Sequence, residues 1–388
     1  ANTTVSFANT GTSNIVTFIR TKDDTATERT ITWPSSVKWD GGAAPLLHTN
    51  AVNNDVQIFK LLTRDEGVTW YGWNTVDKLG GYEMWFWGRN ETGEAFGLNL
   101  PADRSSPTQI SSSPVWNTLY GSGGTNGGTL HVGAAKEPGT LWMWGDNGDG
   151  ELGQNTKNSP ANSGFSSPVQ VPGTNWATVS FSHRQTLATK TDGTLWTWGA
   201  DRSGNPGQNT NGVDYSSPIQ IPGDWATGYK SISQGYNTTA AIKANTQLWV
   251  WGYNGYGNLG QNGNIPTNYS SPIQIPGGGF SQVSLGGNTI MALKTNGTLW
   301  SWAYNGFGMA GQNNRTTYSS PMQIGGGTDW AYCLAANYLS AAIKTDGTLW
   351  MWGDNRYGQL GLNTGGTGSA YSSPTQIPGT TWSKIVPI

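Results

Sequence analysis

"GTLWTWGADRSGNPGQNT", residues 193–210, carries two tryptophans one residue apart and then a turn studded with glycine. A near copy, "GTLWMWGDNRYGQLGLNT", occupies residues 347–364. In a strand, alternate side chains share a face, so Trp196 and Trp198 point one way while Leu195 and Thr197 point the other. The Trp-x-Trp pair occurs six times: Trp85/Trp87, Trp142/Trp144, Trp196/Trp198, Trp249/Trp251, Trp300/Trp302 and Trp350/Trp352. The second tryptophans are separated by 57, 54, 53, 51 and 50 residues. Each pair is followed by a second signature: "SSPTQI" from Ser105, "SSPVQV" from Ser166, "SSPIQI" from Ser216 and Ser270, "SSPMQI" from Ser319 and "SSPTQI" from Ser372. Two signatures in fixed order at one period define a repeat array, and that decides the fold class.

One unit, from Trp176, reads "WATVSF", "SHRQ", "TLATK", "TDGT" and "LWTWG". Short β-prone runs separated by Asp-Gly or Asn-Gly are hairpin signals, and equivalent turns stand at 295–298 and 345–348. The Ser-Ser-Pro run adds a fourth strand with proline near its start, where a missing N–H is tolerated. Four strands per unit is the blade of a β-propeller, which removes exposed sheet edges by radial repetition. The expected fold is therefore all-β: a small N-terminal β module over 1–71 and a propeller over 72–388, six-bladed by repeat count, with seven blades the alternative. The C-terminal "TTWSKIVPI" (380–388) reads as an opening strand, and "GWNTVDKLGGYEMWFWG" (72–88) reads as its partners. Pairing between them closes the ring.

The units "LWxWGxNxxGxLG…SSPxQIPG…W…AIKTDG" resemble the repeats of the regulator of chromosome condensation family over residues 72–388. The resemblance implies a propeller, although seven blades are usual in that family. It also implies varied roles: members include the nuclear exchange factor of a small GTPase and many bacterial and viral proteins without that activity. The double tryptophan and the Ser-Ser-Pro linker are similar to the bacterial and phage branch. Residues 1–71 lack the repeat, and "VSFANT", "NIVTFIR" and "RTITW" alternate as short strands. Together with "TITWPSSVKWDGGAAP" (30–45) they resemble a β module of bacteriophage structural proteins.

Composition bounds the chemistry. Of 388 residues 56 are glycine and 21 tryptophan, only 11% are charged, and the formal net charge is -2. Glycine at this level without a Gly-X-Y period indicates turn-rich β structure. No Lys/Arg cluster supplies the footprint of nucleic-acid binding. No apolar run approaches the ~20 residues that span a bilayer, and no signal peptide is read at the start. The single cysteine, Cys333 in "WAYCLAA", excludes an intrachain disulfide and reads as a small buried hydrophobe.

Candidate chemical motifs dissolve on inspection. "TRDEGVTW" (63–70) fits the Asp-box, in which Asp65 caps a hairpin turn and the tryptophan packs beneath it. A sialidase needs in addition an arginine cluster and a tyrosine nucleophile with an acid partner. Asp146, Asp149 and Glu151 in "DNGDGE" have a spacing that suggests calcium, but the same slot reads "YNGYGN", "YNGFGM" and "DNRYGQ" elsewhere, so a tight turn is the better reading. His48, His131 and His183 give no metal-ligand spacing. The exchange-factor reading needs an acidic loop face, which near-neutral charge and glycine-filled loops do not supply.

Six equivalent tryptophan pairs argue for packing between blades, since a ligand site needs no sixfold copy. Function then belongs to loops that do not repeat. Between opening and second strands the aligned positions are His183-Arg184, Tyr236-Asn237, Gly287-Asn288 and Asn337-Tyr338. These are the candidate ligand or partner residues, because binding residues concentrate on loops held by a rigid scaffold. The expectation is a non-enzymatic phage fibre or decoration protein located in the virion, without cofactor or metal. It contacts other virion proteins or a host receptor or glycan, does not insert in a membrane, and forms a homo-oligomer if fibre-like. The alternatives are a secreted carbohydrate-binding lectin, from the supply of aromatic and amide side chains, and a sialidase-type glycosidase.

Overall fold

In the computed structural model the described residues are 139–385, apart from 158–163, 183, 229, 264–266, 367–368 and 384, together with the strands that precede them. Chain contacts divide the protein into two units, Ala1–Glu83 with Ser113–Trp116 and Met84–Ser112 with Asn117–Ile388. In the first unit Val56–Thr63 pairs antiparallel with Ile15–Thr21 and with Trp70–Val76, and Val37–Trp39 adds in parallel to Trp70–Val76. Thr3–Thr4 and Ile31–Thr32 form a separate parallel pair.

The second unit is the repeat array. Five four-stranded antiparallel sheets run over 116–170, 176–221, 225–274, 280–323 and 330–377. They follow a two-stranded sheet of Trp85–Gly88 and Arg104–Gln109, which holds the third and fourth strand positions of the first repeat. Blades 1 to 6 are numbered in that order. Within each complete blade the strands pair in chain order, so every connection is a simple hairpin. Blade 3 is typical: Trp176–Phe181 opens, Gln185–Lys190 and Leu195–Gly199 follow, and Tyr215–Ile221 lies outermost. The opening strands of neighbouring blades touch one another, which puts them innermost.

Burial follows this layering. Second strands are buried on both faces, whereas outer strands are half-exposed. The apolar clusters lie between blades: Leu141 and Met143 of blade 2 pack with Trp176, Ala188 and Trp198 of blade 3. The second tryptophans Trp144, Trp198, Trp251, Trp302 and Trp352 are fully buried. Four of them reach across the blade boundary. Trp198 Nε1 donates to Glu151 O (2.6 Å), Trp251 to Asn205 O (2.8 Å), Trp302 to Asn258 O (2.8 Å) and Trp352 to Met309 O (2.7 Å). Each acceptor sits in the glycine-rich turn of the preceding blade, so the ring satisfies the indole N–H that a buried tryptophan must place.

The sixth pair stands apart. Trp85 and Trp87 fall on the strand Trp85–Gly88, whose ladder to Arg104–Gln109 is interrupted by a register shift between Phe86 and Gly88, at Trp87 itself. The same shift recurs in blades 2 to 6 at the second tryptophan, so the backbone of blade 1 follows the repeat. The side chains of this pair are another matter: the expectation that Trp85 and Trp87 belong to the blade core lies outside the described residues.

The first tryptophans, Trp142, Trp196, Trp249, Trp300 and Trp350, are half-buried near the opposite end, not enclosed like their partners. There Lys190 Nζ lies 4.7 Å from the ring of Trp196 and 4.7 Å from that of Trp176, and Lys243, Lys294 and Lys344 repeat the arrangement. The lysine stem thereby covers aromatic surface while its charge gains a cation–π contact.

The two sequence signatures meet physically. Gly204 (φ +79°) of blade 3 lies so close to Ser270 of blade 4 that a Cβ would stand 2.6 Å from the serine Cα. One turn further, Asn209 N donates to Ser270 O (2.6 Å), and Asn155, Asn262 and Asn313 do the same to Ser216, Ser319 and Ser372. The glycine turn of one blade is thus clipped onto the Ser-Ser-Pro strand of the next.

Candidate functional site

Hairpin topology sends two loops of each blade to the same end of the unit: the one joining opening and second strands, and the one following the second tryptophan. This end is here termed the first face. Its loop side chains differ from repeat to repeat, as Asp149, Ser203, Tyr256, Phe307 and Tyr357 do in one aligned slot.

Arg184, Tyr236 and Asn237, from the loops chosen on sequence grounds, line one pocket of about 220 Å³ with Gln185, Arg202 and Asn205. The neighbouring loops continue the row: Tyr236 N donates to Gly287 O (3.2 Å), and a Cβ on Gly287 would stand 3.1 Å from Asn337 Oδ1. Asn288 and Tyr338 occupy the next two loops, where their carbonyls accept from Tyr304 N and Asp354 N. Tyr338 is 42% exposed, open to a partner. His183, His48 and Asp65 lie outside the described residues. His131 is buried with its ring edge-to-face on Phe181 (5.0 Å), and Cys333 is buried with its thiol pushed up to about 11 by desolvation, as suits packing residues.

In the acidic turn of blade 2 the carboxylates have partners within the protein. Asp146 Oδ1 accepts from Gly148 N (3.0 Å), and Glu151 Oε2 accepts from Asp149 N (2.9 Å), so two of the acids close their own turn. Asp149 instead faces Arg184 Nη1 (2.8 Å) and Arg202 Nη2 (3.1 Å). Among the described residues no group of three His, Cys, Asp or Glu side chains is placed to hold a metal. Burial pulls the Asp149 carboxyl upward, but the hydrogen bond from Arg184 and the charges of Arg202 and Arg184 outweigh it and hold it below its ordinary value. Glu151 behaves oppositely. Desolvation, with Asp146 and Asp149 adding repulsion, pushes it up to about 8.

Sequence reasoning missed the turns of blades 4 to 6. Tyr253, Tyr256 and Tyr304 form a continuous aromatic group, with centroids 6.1 and 4.9 Å apart. Phe307 meets Tyr338 (5.4 Å), and the Arg356 guanidinium lies 4.7 Å over Phe307 while pairing with Asp354. Tyr357 is 87% exposed. The signal was available in the aligned slot, where Tyr256, Phe307 and Tyr357 replace Asp149 and Ser203. Arg202 was equally legible one position earlier, where other repeats have Gly148, Gly255 and Gly306 and the last has Arg356.

An all-β array of four-stranded repeats joined by hairpins is a repeat propeller. The chain belongs to the RCC1-like domain family, whose model matches residues 83–388. It is 27% identical over 228 residues to the RCC1 domain-containing protein RUG3, mitochondrial, of Arabidopsis thaliana, covering 57% of this chain and 49% of that protein. It is likewise 27% identical over 192 residues to the ultraviolet-B receptor UVR8 of the same plant, covering 48% of this chain and 42% of that protein. The chain thus spans about half the length of these curated relatives or less. The crystal structure of human WBSCR16 superposes with a TM-score of 0.62 at 18% identity, over 82% of this chain and 79% of that one, which shows the common fold.

These relatives correct the functional expectation. A phage fibre or decoration protein, with virion partners, a host receptor or glycan and a virion or secreted location, does not agree with an RCC1-like chain whose curated relatives are cellular proteins of plants and animals. The lectin and sialidase alternatives fall with it. The stretch that prompted the phage reading, "TITWPSSVKW", supplies two short strands, Ile31–Thr32 and Val37–Trp39, a pattern many unrelated β proteins share. The specific information lies in the repeat, and there nothing favours a bacterial or phage branch. Among the described residues no helix is long and apolar enough to cross a membrane.

Proposed function

We propose that the chain is a protein-binding platform without catalytic chemistry of its own, and that it docks a cellular protein partner on the first face. One observation carries this reading: five exposed aromatic and arginine side chains, Tyr256, Tyr338, Tyr357, Arg184 and Arg202, stand on that face. Tyrosine and arginine are the residue types that dominate interface energetics, because each combines a large contact area with few rotatable bonds or a fixed donor fork. Membership of the RCC1-like family supports a partner of the cellular kind, since one relative is named as a receptor and another as an RCC1 domain-containing mitochondrial protein.

The test places a photo-crosslinking residue at Tyr357 or Tyr256 on the first face, and at Asp192 or Asp346 in the hairpins of the opposite end. In extract of the source organism, a discrete protein adduct is expected from the first two positions only. Equal labelling from Asp192 and Asp346, or no discrete adduct from any position, overturns the reading.

A further inference from the structure

The pocket of blades 3 and 4 holds two arginines in a defined arrangement. Arg184, in the loop opening blade 3, and Arg202, in the turn after Trp198, approach the single carboxylate of Asp149 from the neighbouring blade at 2.8 and 3.1 Å. Asp149 is itself 14% exposed and kept ionised by them. The arginine side chains are 36% and 51% exposed. A guanidinium carries five N–H donors in a planar fork, and the contacts to Asp149 engage only Nη1 of Arg184 and Nη2 of Arg202. Each fork therefore keeps donors for a second acceptor. The two guanidinium groups face the Asp149 carboxylate, with Asp146 also in electrostatic reach of Arg184, and lie beside the Tyr236 ring and the Asn237 amide.

We infer that this pocket receives a carboxylate, presented by an Asp or Glu side chain of a protein partner that crosses the first face. The inference rests on the reading of that face as the docking surface. A carboxylate matches the arginine fork bidentately, and it brings a single negative charge to the free donors. A phosphate group brings close to two charges into a site where the Asp149 carboxylate faces it and Asp146 lies in electrostatic reach. Preorganisation favours the site: Asp149 already fixes both long side chains, so little of their rotamer entropy is lost on binding.

The test uses the full chain with ¹⁵N-labelled arginine side chains. Titration with N-acetylglutamate α-amide is expected to shift the Nε–Hε signals of Arg184 and Arg202 saturably, with Kd on the order of 1 mM. The neutral N-acetylglutamine α-amide leaves them in place. Arg202→Gln, at an exposed position, weakens binding about tenfold with an unchanged thermal midpoint, whereas Lys157→Gln on the same face leaves binding intact. No saturable shift, or an equal shift with the glutamine compound, overturns the pocket. Tighter binding of inorganic phosphate, or of N-acetylglycine as a chain-terminal carboxylate, overturns the side-chain assignment. If Tyr357 crosslinking persists while the carboxylate fails to bind, the pocket alone is wrong; if crosslinking is also absent, the docking face is wrong.

Discussion

Glu151 shows how one side chain alters a joint that the repeat otherwise standardises. Its backbone carbonyl accepts both Trp198 Nε1 (2.6 Å) and Thr186 Oγ1 (2.9 Å), which fastens blade 2 to blade 3. The equivalent residues Asn205 and Asn258 are amides whose Nδ2 donates to Gln185 Oε1 and Asn288 O. Glu151 Oε1 is buried and makes no hydrogen bond. Burial first, then Asp146 and Asp149, pushes its carboxyl up from 4.5 to about 8. Between those two values the folded state holds the proton that the unfolded chain releases, so stability falls as pH rises through this window and stays low above it. Glu151→Gln keeps the shape without the titration. Urea unfolding at pH 5 and pH 9 is expected to show the parent losing roughly 2–4 kcal/mol more than the variant across that interval. A parallel pH dependence of the two proteins contradicts the assignment. The second tryptophans of blades 2 to 6 are fully buried, and Trp198→Ala is expected to cost about 3–5 kcal/mol by the same assay. Glu151 was not legible as a buried acid, because "DNGDGE" displays three carboxylates and only the fold decides that Asp149 faces arginines while Glu151 turns inward.

At the scale of the blade, what repeats is an interface rather than a sheet. The glycine turn and the Ser-Ser-Pro strand recur together because each pair meets across a blade boundary, a link that spacing alone could not reveal. At Gly204 two demands coincide: φ is +79°, and Ser270 of the next blade leaves no room for a methyl group. Gly204→Ala is therefore expected to destabilise by at least about 2 kcal/mol in chemical denaturation, more than left-handed strain alone explains. Gly212→Ala offers the contrast, for it has a similar φ of +80° and nothing within 4 Å, so its cost should stay near the strain value. Equal losses at both sites would falsify the idea that the turn and the serine are clipped together. The hairpins were readable from "TDGT" and "TNGT", since Asp192, Asn296 and Asp346 each accept a hydrogen bond from the backbone N–H two residues on, as turn chemistry requires. The aromatic turns of blades 4 to 6 were overlooked for the opposite reason: in an alignment of repeats, tyrosine in a loop slot looks like one more variable position until the ring places three such slots side by side.

For the propeller as a whole, the open question is how its last blade meets its first. We propose that the ring closes by pairing of 380–388 with the first strands of the array; the described residues 380–383 follow the last blade as the other opening segments follow theirs. Trp382 N donates to Gly347 O (3.1 Å), just as Trp330 N donates to Gly297 O and Trp225 N to Gly193 O where the next blade begins. Beyond it, Tyr332 OH donates to Ile385 O (2.7 Å), an inner contact between successive opening segments like that of Tyr120 OH with Ala177 O. Among the described residues blade 1 has only its third and outer strands, and Trp382 is 42% exposed where Trp330 is 7%. In a repeat protein each unit is stabilised by its neighbours, so loss of the clasp should loosen both terminal blades rather than only the tail. Truncation after Gly379 is expected to lower the urea midpoint by the equivalent of about 2–3 kcal/mol and to reduce the m-value, because the first blade then unfolds ahead of the rest. Trp382→Ala, which leaves the backbone able to pair, should lower the midpoint by less and preserve m. A truncated chain with the parent midpoint and slope would mean that residues 380–388 do not clasp the ring.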